Sequence, residues 1–570
     1  MKNILRVLLL SVLLSGCYED KGNYDYTLDS MNEITAVSFS PSIYANKIEV
    51  LQAMSEDDVL RRVDVILEQT LSDNIENLDF NWILTYNNKK GESVTDTVHS
   101  KGFLEVELPV GEKMSYDVFL QIYDKSTTLS HYSSFELKTR PIFQNSLFVL
   151  HGEEGDRKLG NIEVIGDNTN IRTDIQSVNL YNDYKNAIGL SYTLFYNFGY
   201  NYLTGRGDSK FVFSLSVYDD NAGATVYDPF GMDTKFVSRD IFKPKNSNFV
   251  FKKMIQTGNA PDDNQYRIAL SENGDVYIGN YTHVLYKPGY QNELDNDELH
   301  QTNYKITAAT ITHNRFLFWD EANGRFLYSA KNSDGMAYNE EGSTDSLKTT
   351  NAMLDAHVDF STLDKSPADM SAVLGYTNYR DNYTLQNSYF IFKDNEGNFY
   401  RYELAATNTD KDGKDGGGED KAAYTIKGEL MKNFNPGENL STVTYNSWFT
   451  TNYLFYVNGS NVYRYNVSNG DNSIVYEAPA GYEITMIKFR TEDNAVFDGD
   501  LGRYLSIGLY NGINGAVAEI KFNTAADVDE SFSPLFYEQD NNGNKWGRIK
   551  DMQFVREYQY YLPDYYITEL

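Results

Sequence analysis

Residues 453–465 read YLFYVNGSNVYRY. Two runs of alternating aromatic and β-branched residues flank Asn458-Gly459. Asn-Gly between alternating apolar runs is the strongest short-range hairpin signal, because both turn positions of such a loop need positive φ. The same strand–Gly turn–strand pattern recurs at 147–164, 211–230, 266–280, 315–330, 389–404 and 504–522. The turn glycines are read as Gly155, Gly223, Gly274, Gly324, Gly397, Gly459 and Gly515, separated by 68, 51, 50, 73, 62 and 56 residues. One strong hairpin every 50–70 residues predicts a β-propeller of four-stranded blades, seven of them, over residues 141–570. Tandem β-sandwiches would also yield hairpins, but near-regular spacing with no linker between units favours the propeller.

The place of the hairpin within a blade decides which loops share a face. If it joins the innermost strand to the second, its turn lies opposite the usual binding face. Segments 280–283, 332–334, 406–422 and 468–471, which follow the hairpins, then emerge on the binding face. Loops leading into each hairpin join them there.

Composition agrees with a β-rich folded chain. Aromatics are 14% of the 570 residues, with 46 Tyr and 32 Phe, and these side chains favour half-buried pleated surfaces. Charged residues at 23% and hydrophobics at 41% exclude a disordered chain. The length calls for more than one core. Upstream of the hairpins, 34–140 holds about seven strand-like runs: 34–40, 47–53, 63–69, 78–86, 103–109, 116–124 and 133–139. Short alternating strands in so small a span predict an immunoglobulin-like β-sandwich. Trp82, on the run LDFNWILTY, is assigned to its core.

The N-terminus gives the address. Lys2 and Arg6 precede a short apolar run, Val7 to Leu14, which ends in Leu14-Ser15-Gly16-Cys17. This resembles the lipobox of bacterial lipoproteins, whose signal (1–16) is cut before a Cys that becomes lipidated. Cys17 is the sole cysteine, so no internal disulfide is available to an exported chain. The polar stretch 17–33 reads as a tether, and Glu19 and Asp20 resemble the surface-export signal of Bacteroidota lipoproteins. The net charge of −31 repels phosphate backbones and anionic lipid, which excludes nucleic acid as a partner. Attachment to the outer membrane is therefore assigned to acyl chains, at about 0.8 kcal/mol per buried methylene.

Three stretches together carry a family resemblance: CYEDKGNYDY at the tether, Phe80-Asn81-Trp82 with Tyr116-Asp117-Val118 in the sandwich, and SLFVLHGEEGDRKLGNIEV after it. They resemble the PKD-like family lipoproteins of Bacteroidota. The resemblance implies a location beside TonB-dependent outer-membrane transporters and a part in nutrient capture, an implication of family rather than of these residues.

Chemistry-bearing motifs are few. Asn408, Asp410, Asp412, Gly413 and Glu419 in NTDKDGKDGGGE fall at positions 1, 3, 5, 6 and 12 of an EF-hand-type loop, so calcium is the one cofactor the spacing admits. Asn in place of Asp at position 1, Asp415 at the apolar position 8 and flanking strands rather than helices depart from that pattern; a solvated acidic-glycine loop is the alternative. Arg206-Gly207-Asp208 is too short a match to an adhesion tripeptide to carry a role. HExxH, GxSxG and GxxxxGK[ST] are missing, and no two of the seven His stand four apart. No catalytic residue is assigned. Aromatics beside polar partners suggest carbohydrate recognition: Tyr379, Arg380 and Tyr383 before the fifth hairpin, and Tyr445 and Trp448 before the sixth. Inter-blade packing is the competing use of such rings.

The sequence therefore predicts an all-β, lipid-anchored outer-membrane protein facing the cell exterior. It would be a non-catalytic module capturing a glycan or glycopeptide for a TonB-dependent system. A siderophore or other metal chelate, a peptide, a transporter scaffold and a propeller hydrolase are the alternatives.

Overall fold

The computed structural model describes residues 32–555, apart from single residues, short turns and the longer segments 176–183, 228–233, 244–250, 257–265, 292–298, 331–351, 378–386, 407–423 and 491–500. Every sheet is built from strands, with only 3-10 turns as helical structure among the described residues. The chain forms two compact units, Met1–Ile142 and Phe143–Leu570.

The first unit is a β-sandwich. Its strands are β1 (Ile34–Ser40), β2 (Lys47–Leu51), β3 (Leu60–Gln69), β4 (Leu78–Asn87), β5 (Ser93–Ser100), β6 (Phe103–Glu107), β7 (Ser115–Asp124) and β8 (Leu129–Arg140). One sheet has the order β1-β3-β6 and the other β2-β8-β7-β4-β5. β2 pairs with β8 in parallel, and the other pairs are antiparallel. Alternation builds the core: Tyr116, Val118, Leu120 and Ile122 point inward while Asp117, Phe119, Gln121 and Tyr123 point out. Trp82 is fully buried, as its alternation predicts. It meets Phe39 and Phe135 edge-on at 6.3 and 6.5 Å and donates its indole N–H to Ser100 Oγ at 3.0 Å. The sequence pattern does not reveal β5. SVTDTVHS is a polar edge strand with no buried residue, so it carries no hydrophobic signal.

The second unit is a β-propeller. Seven sheets follow one another in it among the described residues. Antiparallel order runs from the inner strand outward, as in Ser371–Thr377, Ser388–Lys393, Phe399–Ala406 and Tyr424–Leu430 of the fifth sheet. Inner strands of neighbouring sheets lie against each other, for example Ile306–Ile311 on Ser371–Thr377. Their backbones approach so closely that a Cβ on Gly375 would press on Ala309.

Six inner strands share one irregularity. Pairing with the second strand skips a residue after the first or second position: between Ala187/Gly189, Phe251/Lys253, Ile306/Ala308, Ala372/Leu374, Ile484/Met486 and Ile549/Asp551. Such bulges sharpen local twist, which lets each sheet fan away from the axis. The sixth sheet reduces its inner strand to the bridge Thr444–Phe455.

This order corrects the placement of the hairpin. Tyr453–Asn458 and Asn461–Asn466 pair as second and third strands, not first and second. Sequence alternation could not distinguish these positions, because inner strands also read as short apolar runs. The turn is corrected too. Asn458 is the last strand residue and pairs with Asn461, so the loop is Gly459-Ser460 with positive φ at Gly459 alone. In the seventh sheet the left-handed turn glycine is Gly512, while Gly515 opens the next strand; Gly223 likewise opens a strand.

The first sheet closes the ring. Ile549–Val555 pairs antiparallel with Ser146–His151, so the C-terminal segment supplies the inner strand to three strands from the start of the unit. The preceding loop docks on the same sheet: Thr173 Oγ1 donates to Asp540 at 3.0 Å, and the Ile171 amide donates to Asn541 Oδ1 at 2.9 Å.

Candidate functional site

Strand order sets the two ends of the propeller sheets. First-to-second and third-to-fourth connections leave from one end; the tight second-to-third turns and the links between sheets leave from the other. The third strands that precede segments 280–283, 332–334, 406–422 and 468–471 end at Asn280, Ala330, Ala406 and Asn466, all at the end opposite the hairpin turns; 281–283, 332–334 and 407–422 themselves lie outside the described residues. The one-strand correction swaps the faces: these connections and the loops leading into the hairpins still share an end, but the hairpin turns now stand at the usual binding end and the connections at the opposite one. The loops before the hairpins are, however, first-to-second connections rather than links between blades.

Most sequence-assigned candidates lie outside the described residues: Cys17, Tyr379, Arg380, Tyr383, Asn408, Asp410, Asp412, Glu419 and Trp448. Tyr445 is described and half-buried. Its ring lies 5.0 Å from that of Tyr376, which stacks on Tyr389 at 5.2 Å. Arg401 sits 4.0 Å over Tyr389, donates to the Tyr376 hydroxyl at 2.9 Å and pairs with Glu429 at 2.9 Å. Burial pushes the Tyr376 phenol up to about 12, so it stays neutral. Tyr445 is thus part of the packing between the fifth and sixth sheets. Among the described residues no group of three or more His, Cys, Asp or Glu side chains could hold a metal ion.

Three buried or half-buried ionisable groups in the propeller are matched internally. Glu519, almost fully buried, receives two bonds from Arg490 at 2.9 and 2.7 Å and one from Ser506 at 2.8 Å. Lys488 reaches Asp551 and the Leu190 carbonyl, both at 3.2 Å, and so ties three inner strands together. His151 is buried with Nε2 donating to the Thr173 carbonyl at 2.6 Å and Nδ1 accepting the Gly547 amide at 2.8 Å. These contacts close the ring rather than present a reactive group.

The outer face of the sandwich is different. A groove of about 380 Å³ opens there, lined by Lys47, Ile83, Thr85, Asp117, Phe119 and Glu136, with Asn46, Val118, Ser134 and Phe135 completing it. Phe119 on β7 and Tyr132 on β8 are 40% and 56% exposed and stack at 5.6 Å. Beside them runs one cross-strand row, His99–Asn81–Gln121–Tyr132, set by the register of β5, β4, β7 and β8. Each member donates to the next. His99 Nδ1 meets Asn81 Oδ1 at 2.7 Å, and Asn81 Nδ2 meets Gln121 Oε1 at 3.4 Å. Gln121 Nε2 then reaches Ser130 Oγ at 3.1 Å and the Tyr132 hydroxyl at 3.5 Å. On the other flank, Glu136 is held by Lys47 at 3.4 Å and Ser115 at 2.7 Å, the Ser115 bond chiefly lowering its pKa.

Sequence reading assigns β7 correctly but gives Phe119 no role. The available signal is an aromatic in the polar phase of an alternating strand, YDVFLQIYD, where the neighbours Asp117 and Gln121 are polar.

No curated protein matches this chain. Solved structures with a similar course include a quinoprotein alcohol dehydrogenase-like protein from Bacteroides thetaiotaomicron, at 11% identity and TM-score 0.36, covering 85% of this chain and 93% of that one. An apocarotenoid oxygenase from Synechocystis is similar at 8% identity and TM-score 0.34, over 73% of this chain and 94% of that one. The WD40 domain of SCAP from fission yeast gives 10% and 0.31, over 71% and 92%. Likeness at this level carries no activity across. Residues 17–183, which hold the sandwich and the strands Ser146–His151, Lys158–Ile165 and Asn168–Arg172 of the first propeller sheet, match the sequence model of the PKD-like family.

Proposed function

We propose that this protein is a lipid-anchored outer-membrane protein, facing the cell exterior, that captures a glycan or glycopeptide for a TonB-dependent uptake system without transforming it. Cys17 is the anchor in this reading. The observation that carries it is where the propeller spends extra chain. Adjacent antiparallel strands need only about two to five linking residues. The second-to-third turns keep to that scale, as between Asn458 and Asn461 or Ser271 and Val276. The connections from Ala330 to Ala352, Ala406 to Tyr424 and Phe489 to Tyr504 far exceed it, and all leave from the opposite end. Links between sheets at the hairpin-turn end are also long, as from Asp355 to Ser371, but they must join neighbouring blades; chain of this length between adjacent strands of one sheet is spare, which is the arrangement of a recognition surface rather than of a spacer.

A glycan array probed with the mature chain tests the reading, with mass spectrometry of the bound sugar afterwards. Binding with the glycan recovered intact is expected. Silence across the array, or release of cleaved sugar, would overturn it. Whole-cell protease shaving tests the address: release of a folded ectodomain is expected, and protection in intact cells would place the protein on the periplasmic side.

A further inference from the structure

We infer that the glycan site includes the outer face of the N-terminal sandwich, and that its ligand is an uncharged polysaccharide lying over Phe119 and Tyr132. The inference rests on the glycan reading above and adds the place and the chemical class.

Three independent features of one sheet face converge. The first is apolar: two exposed aromatic rings stacked at 5.6 Å, with the half-buried Ile83 paired to Phe119 across β4 and β7. Sugars present flat C–H faces alongside their hydroxyls, and an aromatic ring covers such a face while excluding water. The second is a polar row held in one orientation. Because His99 Nδ1 donates to Asn81 and the amides pass the direction on, neither carboxamide needs to reorganise to meet a ligand. Asn81 keeps a second N–H for a ligand oxygen, while Gln121 spends both of its own on Ser130 and Tyr132, and preorganised donors bind at lower entropic cost. The third is the groove itself, whose roughly 380 Å³ lies within the range of small-molecule sites.

Charge selects among glycans. Asp117 and Glu136 line the groove, and Lys47, the one cation among its lining residues, is engaged by Glu136. A uronate, sulfate or phosphate group would meet two carboxylates and no unengaged cation, within a chain of net charge −31. A neutral chain meets no such penalty, and its hydroxyls can donate to the same carboxylates.

The test uses the full mature chain and three soluble probes: hydroxyethylcellulose and mannan as neutral polymers, polygalacturonate as the anionic one. Affinity electrophoresis and titration calorimetry compare the wild type with Phe119→Ala and Tyr132→Ala. Both side chains are exposed, so unchanged urea midpoints should certify folding. A loss of about tenfold or more in affinity for a neutral probe in each variant is the expected result. If the wild type binds a neutral glycan and neither variant weakens it, the site is wrong while the capture reading stands. If the wild type binds none of these probes and no glycan on the array, both fall together. Preference for polygalacturonate would overturn the uncharged class. Self-association of the wild type that Phe119→Ala abolishes would assign the face to a second copy of the chain and overturn the site.

Discussion

His151 shows how much a single side chain can decide. Both ring nitrogens are used, one toward Thr173 and one toward Gly547, and its ring meets Trp546 edge-on at 5.1 Å. Burial is the main cause that pushes its pKa down to about 4; nearby Lys158 adds to this, while the Thr173 bond and Asp174 oppose it. Protonation would turn the Nδ1 acceptor into a donor facing the Gly547 amide. The folded state therefore holds His151 neutral, whereas the unfolded chain protonates it near the ordinary 6.5. Its contribution is complete above that value and is lost as pH falls from about 6.5 towards 4, on the order of 3 kcal/mol in all. Urea midpoints of wild type and His151→Gln, compared at pH 7 and pH 4.5, should converge at the lower pH; a gap that stays constant would refute the assignment. The tyrosines follow a related logic. Tyr402 and Tyr465 donate their hydroxyls to the carbonyls of Lys365 and Lys432 at 2.9 and 3.0 Å, fastening third strands to the links between sheets. A Tyr-rich composition thus serves the framework, apolar body inside and polar tip satisfied.

Among elements, two glycines separate backbone conformation from packing. Gly459 has φ of +61°, and a Cβ added there would meet open space. Gly459→Ala should therefore cost only the strain of a left-handed turn, about 1 kcal/mol. Gly160 needs no unusual φ. A Cβ there would press on the Arg172 and Thr173 carbonyls and lie 2.6 Å from the Trp546 ring. Overpacking of this kind typically costs about 1–3 kcal/mol and forces neighbours to move. Gly160→Ala should therefore lower the urea midpoint more than Gly459→Ala; the reverse order would show that turn geometry, not close packing, governs the sheet. Elements also mark where sequence reading stops. The hairpins are legible because alternation and turn chemistry are local. β5 is not, since an edge strand buries nothing, and neither is the rank of each hairpin in its sheet, which depends on what packs beside it.

On the scale of the whole molecule, closure is the decisive event. Ile549–Val555 completes the sheet begun by Ser146–His151, nearly the full length of the propeller unit away in sequence. Ring closure of so long a span is entropically modest, since loop cost grows only with the logarithm of length. The strand that achieves it nonetheless protects an otherwise unpaired edge. A chain ending at residue 548 should lose cooperative unfolding of the propeller and aggregate. The sandwich, whose core draws only on its own residues, should keep its separate transition in calorimetry. A truncated chain that still unfolds like the wild type would show that the shared sheet is dispensable.

What the sequence determined by itself was local and periodic: strands, tight turns, their repetition, and the inward place of Trp82. Alternation with a period of two and glycine in a turn follow from the backbone alone. Tertiary structure decided the relations between distant residues. It made the opening hairpin the second and third strands of its sheet, placed its Gly459 turn on the end away from the long connections, and set Tyr445 into packing. It also brought His99, Asn81, Gln121 and Tyr132 from four strands into one row. Those outcomes depend on register and on neighbours far along the chain, and no local pattern encodes either.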